Sequence, residues 1–221
     1  MTLGIMQSYF LPYLGYFQLM NAVDTFVYYD DVTFIKQGWI NRNYICLDGR
    51  DHRFTLELKG ASSYKKINEI EVGGNREKLY KTFTQAYSKA PHYKNMDWIL
   101  YNIFHCDEKN LFWYIYYVHL SIFTYLGINT SFLKVSSGIE KDCSLKGKDK
   151  VLDICKRLGA TTYINAIGGK ELYSKDEFRD KGINLFFLHP ADELPKRSII
   201  DVLMNYSKEE IKIMLKNYDL E

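Results

Sequence analysis

The sequence predicts an α/β fold: a parallel sheet with crossover helices, carrying a β-hairpin insertion and a helical middle segment. Three observations lead there. Short apolar runs rich in β-branched and aromatic residues alternate with helical patterns in the first and last thirds of the chain, the rhythm of parallel strands joined by right-handed crossovers. The stretch "YICLDGRDHRFTLEL" alternates on both sides of Asp48 and Gly49, which reads as a β-hairpin. From Asn75 to about Gly127 the apolar spacing turns helical,. The 221 residues form one domain in this reading, with an α/β core at 1–74 and 128–221 and a helical segment at 75–127; that length suffices for a core of ordinary size.

Taken in order, the first strand is expected at Leu3 to Gln7, followed by a turn at Pro12 and Gly15, a short helix from Tyr16 to Ala22 and a second strand at Thr25 to Tyr29,. The hairpin comes next. "NREKLYKTFTQAYSKA" has Asn75 as an N-cap candidate and stops before Pro91,. "MDWILYNIFHCDEKNLFWYIYYVHLSIFTYLG" gives two helices that are apolar on most faces and end at Gly127. Such helices bury themselves either in this chain or against a second copy in a homodimer, and periodicity does not choose. The last third predicts strand Ser131 to Val135, helix Lys148 to Leu158, strand Thr161 to Asn165, helix Lys170 to Lys181, strand Ile183 to Leu188 and helix Ile199 to Asn205.

Composition removes several classes of function. The amino terminus "MTLGIMQSYF" has no basic region ahead of an apolar run, so no secretory signal is expected, and no apolar run reaches the roughly 20 residues of a membrane span. A cytoplasmic protein without membrane contact is the expectation. Net charge is +2, from 29 basic and 27 acidic residues that are interspersed, which gives no chain-wide case for nucleic acid. Cys46, Cys106, Cys143 and Cys155 lie far apart, a pattern of reduced thiols rather than a zinc site. The five histidines lack HExxH-type spacing and no G-x-S-x-G elbow occurs, so a zinc hydrolase and acyl-enzyme chemistry have no support. His119, on an aromatic helix, reads as a core residue. The 19 tyrosines exceed the needs of a core, and a phenol offers a ligand cleft both a flat face and a hydroxyl.

In open parallel sheets, ligands bind beyond the carboxyl ends of the strands. The loops after Gln7, Tyr29, Val135 and Asn165 are therefore where chemistry is sought. Asp30 and Asp31 end the second strand; neighbours on a strand face opposite ways, so at most one enters a shared cleft. There a carboxylate can hold Mg²⁺ with a phosphate or take a proton from an amine; otherwise it is a solvated turn residue. "KQGWINRN" supplies Lys36, Trp39, Asn41, Arg42 and Asn43: a point cation, a stacking surface, two amides and a guanidinium fork suited to a nucleotide or nucleotide-sugar. Trp39 fits the core equally well, and Asn43 a turn. "IGGK" follows a strand and opens a helix, so Gly168 and Gly169 would let backbone N–H groups reach an anion, or simply make a tight turn. "SSG" at 136–138 and the lysines at 146, 148 and 150 offer a similar choice between phosphate contact and solvated surface.

The stretch "GIMQSYFLPYLGYFQLMNAVDTFVYYDDVTFIKQGWINRNYI" resembles the WbqC-like family, whose members open with Gln-Pro-x-x-x-Pro-Tyr/Trp-x-Gly-Tyr and continue with Asp-x-Phe-Val, Asp-Asp-Val and Lys-x-x-Trp-x-Asn-Arg-Asn. Gln7, Pro12, Tyr13, Gly15, Tyr16, Asp24, Asp30, Asp31, Lys36, Trp39, Asn41, Arg42 and Asn43 carry that likeness. It runs more weakly to the end of the chain. Ser8 replaces the usual Pro, and the loop before the last predicted helix is compressed to "FLHPADELPKRSIID". The resemblance implies a cytoplasmic protein of O-antigen or other surface-polysaccharide synthesis acting on a nucleotide-linked sugar. One implied role is attaching an amino acid such as glycine to the amine of a 4-amino-4,6-dideoxy sugar. "PYLGYF" also resembles, more distantly, the His-x-Gly-His turn of adenylyl-transferring α/β proteins, with Tyr13 and Tyr16 in place of the histidines, which implies a Rossmann-like sheet of the HUP/nucleotidyltransferase kind.

Together these features lead to an expected acyl or aminoacyl transferase, or ATP-dependent amide ligase. Asp30 or Asp31 would act as base or Mg²⁺ ligand and Lys36 and Arg42 would hold phosphates. Gln7, Tyr13, Tyr16, Trp39, Asn41, Asn43, Gly168 and Gly169 would line the substrate site. ATP with Mg²⁺, or a charged aminoacyl-tRNA, would bring the activated acyl group. The competing expectation is a non-catalytic nucleotide-sugar-binding or scaffold protein.

Overall fold

The structure, a computed structural model, describes residues 1–128, 130 and 132–221. Strand β1 (Thr2–Met6) leads into helix α1 (Leu14–Asn21) and strand β2 (Thr25–Tyr28). The hairpin β3 (Arg42–Leu47) and β4 (Arg50–Thr55) follows, then a small pair, β5 (Leu58–Lys59) and β6 (Glu71–Val72). Helices α2 (Arg76–Tyr87), α3 (Tyr93–His105) and α4 (Leu111–Leu126) form the middle. The chain returns to the sheet with β7 (Phe132–Val135), α5 (Gly147–Arg157), β8 (Thr162–Ala166), α6 (Lys175–Arg179) and β9 (Asn184–Pro190). It closes with α7 (Ile199–Asn205), α8 (Lys208–Met214) and β10 (Tyr218–Leu220).

The main sheet has the order β10-β9-β8-β1-β2-β7, parallel except for β10. The chain runs outward from β1 through β2 to β7, then crosses back to β8 and runs outward the other way, which is the Rossmann-like strand order. The reversal lies between β1 and β8. Leu3, Ile5 and Val27 pack with Val151, Ile154, Tyr163 and Phe178 on the face covered by α5 and α6. The other face carries the larger core, in which Phe10, Leu14 and Phe26 meet Ile99, Ile103, Phe104, Ile115 and Val118 of the middle helices. The apolar faces of α3 and α4 are thus consumed largely within this chain.

Local chemistry explains the elements. Asp48 (φ 50°) and Gly49 (φ 73°) are both left-handed, as a two-residue hairpin turn of primed type requires. Asn110 caps α4 by accepting the Trp113 N–H at 3.2 Å, and Gly127 ends it at φ 68°,. Asn75 precedes α2 but does not cap it; its amide bridges the Thr55 carbonyl and the Glu57 N–H instead.

Two features depart from the sequence reading. The helix expected from Lys170 to Lys181 is broken into a 3₁₀ stretch, Ile167–Leu172, and the short α6. Tyr173 leaves helical geometry between them (φ −130°), placing its ring edge-on to Tyr163 and Phe178. Burying that ring outweighs local helical continuity. The closing α8 and β10 were not expected, although "SKEE" is a capping box in which Ser207 and Glu210 bond each other's backbone,. Ser131, where the third sheet strand was expected to start, lies outside the described residues.

Candidate functional site

The stretch "QSYFLPYLGYF" is a loop whose backbone is fastened from many directions. Gln7 C=O accepts the Tyr16 hydroxyl at 3.0 Å, and Tyr9 C=O accepts His119 Nε2 at 2.8 Å. Phe10 N–H donates to Ile40 C=O at 2.7 Å, and Pro12 C=O accepts the Ile199 N–H at 2.7 Å. Leu11 C=O accepts both Asn43 Nδ2 at 3.0 Å and Ser198 Oγ at 2.9 Å. Leu11 is itself left-handed, at φ 49°, a conformation that costs a branched residue about 1–3 kcal/mol. The two donors on its carbonyl and the neighbouring Pro12 hold it there. The result is a rigid loop that presents Tyr9 and Tyr13 beyond the end of β1.

Both rings line a crevice of about 580 Å³ at the carboxyl ends of β1 and β8, where the strand order reverses. Met6 and Gln7 form its floor on one side, and Asn165, Ala166, Gly168 and Gly169 on the other. Tyr29, Trp39, Tyr163 and Tyr173 supply aromatic walls. Trp39 is half exposed, 53%, and its ring lies 6.2 Å from that of Tyr44. Burial raises the Tyr13 phenol pKa, and burial together with the Tyr13 phenol raises that of Tyr9, so both are neutral hydrogen-bond donors near pH 7. Smaller hollows adjoin: one at Tyr9, Pro12, Asn43 and Lys196, another between the amino end of α1 and the "HPADELPK" loop, with Tyr13 lining both.

A second chamber, of about 530 Å³, shares Gln7, Tyr29 and Ile35 with the crevice and ends at the amino terminus of α5. Asp31 lies in its wall. One carboxylate oxygen, Oδ2, receives Lys150 Nζ at 3.0 Å and Lys141 Nζ at 3.1 Å. Lys150 also reaches Asp31 C=O at 3.2 Å and sits 5.1 Å from the Tyr29 ring centroid. Burial opposes ionisation of Asp31, but the Ser136 hydroxyl and then the Lys150 and Lys141 ammoniums outweigh it and hold the carboxyl below its usual range,.

The residues read from the sequence distribute unevenly. Gln7, Tyr13, Trp39, Gly168 and Gly169 meet in the crevice and Asp31 in the chamber, while Asn43 borders an adjoining hollow. Five others are placed differently. Tyr16 is wholly buried against His119, Phe17 and Phe26. Asp30 is buried and saturated, accepting Asn68 Nδ2 at 2.7 Å and the Ser137 N–H at 2.9 Å. Asn41 spends its amide on Leu56 C=O at 2.8 Å. Lys36 and Arg42 line none of these hollows: Lys36 is on an exposed loop and Arg42 begins β3. Tyr9, Tyr29, Tyr163 and Tyr173 in the crevice, Lys66 in the chamber and Lys141 on Asp31 join the site without being among the residues expected from the sequence. Tyr29 ends the second predicted strand and Tyr9 lies in the loop after the first, the places where ligands of a parallel sheet are sought. Of the three lysines after "SSG", Lys146 and Lys150 face the chamber, whereas Lys148 pairs outside with Glu177 at 2.5 Å.

Gly15 shows how tightly the Tyr13 ring is set. A Cβ there would lie 2.3 Å from Tyr13 Cε2 and 2.8 Å from Pro190 Cγ. Helix propensity alone favours Ala over Gly by about 1 kcal/mol, but relieving this overlap costs about 1–3 kcal/mol. Gly15→Ala is therefore expected to lower the melting temperature; a rise in calorimetry would mean that the Tyr13 ring moves freely.

Among the described residues, no group of three or more His, Cys, Asp or Glu side chains is placed to hold a metal ion. No helix among them is long and apolar enough to cross a membrane. The model of the WbqC-like protein family matches residues 7–213. The uncharacterized protein Rv1507c of Mycobacterium tuberculosis is 25% identical, over 93% of this chain and 94% of that protein. No solved structure matches significantly.

Proposed function

The chain belongs to the WbqC-like protein family, and we propose that it is an enzyme that acylates or aminoacylates the amine of a nucleotide-linked amino sugar, in surface-polysaccharide precursor synthesis. The observation that carries this reading is the aromatic crevice at the reversal of strand order, which shares Gln7, Tyr29 and Ile35 with a lysine-lined chamber. Aromatic faces suit a base or sugar, and ammoniums suit phosphates. Two neighbouring hollows that together offer both match a nucleotide-sugar better than a free sugar or an acyl chain.

Amide formation needs an activated acyl donor. With ATP, a carboxylate oxygen of the amino acid attacks the α-phosphorus and pyrophosphate leaves. The sugar nitrogen then attacks the acyl carbon, AMP leaves, and the nitrogen gives up a proton. With an aminoacyl-tRNA, the same nitrogen attacks the ester carbonyl and the ribose hydroxyl leaves. The chain's contribution in either case is positioning: Tyr9, Tyr13 and Trp39 bracket the planar group, while Gln7 and the Gly168 backbone border the centre. Asp31, engaged by two ammoniums and depressed in pKa, makes a poor base and serves as the counter-charge that orients Lys141 and Lys150. Saturated Asp30 clamps the Asn68 and Ser137 segments together. With Asp31 Oδ2 taken up by the two ammoniums and the Asp30 oxygens by Asn68 and the Ser137 N–H, these carboxylates do not fit a protein-held Mg²⁺.

A second reading, a non-catalytic nucleotide-sugar-binding module, is favoured by one specific observation: among the described residues, no Asp, Glu or His lines the crevice. The test takes purified protein, a dTDP-linked 4-amino-4,6-dideoxy sugar, glycine, and either Mg-ATP or charged tRNA. Catalysis predicts the glycyl increment on the sugar by mass spectrometry. Nucleotide-sugar binding by calorimetry with no product from either donor would establish the binding module instead.

A further inference from the structure

Resting on the nucleotide-sugar reading, we propose that the second chamber seats the diphosphate, gripped by Lys66, Lys146 and Lys150 at the amino end of α5, and that Lys36 and Arg42 take no part in holding it. Charge is the first reason. Three lysines and one carboxylate, Asp31, line the chamber; Asp31 is further offset by Lys141 from behind, leaving an excess of positive charge that only an anion balances. Geometry is the second. Lys150 is 8% exposed, fixed by Asp31 and the Tyr29 ring, so its ammonium is preorganised and loses little freedom when it meets a phosphate oxygen. The third is α5 itself. Its first turn has backbone N–H groups without intrahelical acceptors, no side chain caps it, and its dipole adds positive potential at the same place. Finally, the chamber meets the crevice at Gln7, Tyr29 and Ile35, so a diphosphate here points the attached base or sugar onto the aromatic walls.

Cys143 makes the proposal measurable. It is exposed and lines the chamber, whereas Cys155 is buried and Cys46 and Cys106 are half-buried. The experiment follows iodoacetamide alkylation of Cys143 by peptide mass spectrometry, with inorganic pyrophosphate, ADP, UDP and dTDP at matched ionic strength and sulfate as control, alongside calorimetric titration. Pyrophosphate and at least one nucleoside diphosphate should slow alkylation of Cys143 severalfold, and sulfate should not. Lys66→Ala and Lys146→Ala, both at exposed positions, should each weaken diphosphate binding about tenfold, the worth of one charge-assisted contact. Lys148→Ala, which removes an equal charge from the outer face of the same helix, should leave binding unchanged. A nucleoside diphosphate that binds without protecting Cys143 and without dependence on Lys66 or Lys146 overturns the chamber assignment and leaves the nucleotide-sugar reading standing. Failure of every diphosphate to bind overturns both.

Discussion

Asp31→Asn is expected to destabilise the protein by about 2–3 kcal/mol, read as a lower urea midpoint at pH 7. The substitution keeps the shape and removes the charge that Lys141 and Lys150 share. Their side chains are 2% and 11% exposed, and two ammoniums converging on a neutral amide are left uncompensated. Breaking a sealed buried pair costs about 3–5 kcal/mol; the chamber beside Asp31 admits water and lowers the figure. Because the loss comes from stranded positive charge, adding Lys150→Met to Asp31→Asn should return part of it. Strictly additive losses in the double variant would show that these groups are not one electrostatic unit. The pH dependence has a definite sign. The folded carboxyl is depressed, so its contribution is fully present above the ordinary value near 3.9 and fades as pH falls through the lower folded value. Near neutrality Asp31 gives a constant contribution, which separates it from any effect that begins at pH 6.

Much of the fold was legible because each signal was local. Strand runs, the Asp48 and Gly49 turn and the Gly127 stop are properties of neighbouring residues, and the Rossmann-like order follows from parallel crossovers. The candidate site was legible only where it too is local. Gln7, Tyr13, Gly168 and Gly169 follow directly from the rule that ligands lie beyond strand ends. Lys36 and Arg42 are suggested by side-chain chemistry alone, and nothing in the sequence indicates which way the "KQGWINRN" segment turns. That segment enters β3, and the ladder pairing Arg42 with Thr55 and Asn43 with Phe54 fixes its directions: Asn43 points inward to Leu11 C=O and Arg42 turns away. Lys66 and Lys141 could not be read at all. Lys66 reaches the chamber because it bridges to Thr33 across a non-local pairing, and Lys141 because Asp31, 110 residues earlier, stabilises its burial.

His119 connects the core to the crevice, and its protonation is the second large effect. The ring is fully buried between the two faces it serves. Nε2 donates to Tyr9 C=O at 2.8 Å, which leaves Nδ1 to accept the Tyr28 hydroxyl at 3.2 Å; the rings of Tyr16 and Phe17 close around it at 5.2 and 5.4 Å. Burial pushes its pKa down to about 3, against the smaller upward pull of the Tyr9 carbonyl. In the unfolded chain the value returns to about 6.5. Between these limits the unfolded state binds a proton that the native state refuses, so stability falls as pH falls, by up to about 1.4 kcal/mol per pH unit. Urea midpoints should therefore decline from pH 7 to pH 4.5, well before Asp31 begins to matter. His119→Gln retains a donor for Tyr9 C=O and cannot titrate. It should be less stable at pH 7 by about 1–3 kcal/mol, since the Tyr28 hydroxyl loses its acceptor, yet its midpoint should vary much less over the same range. An undiminished acid slope in that variant would assign the effect to other groups. Protonation keeps the Nε2–H bond to Tyr9 C=O and takes from the Tyr28 hydroxyl its acceptor, so the acid loss falls on the core contact at Tyr28 and the Tyr9 wall of the crevice stays fastened.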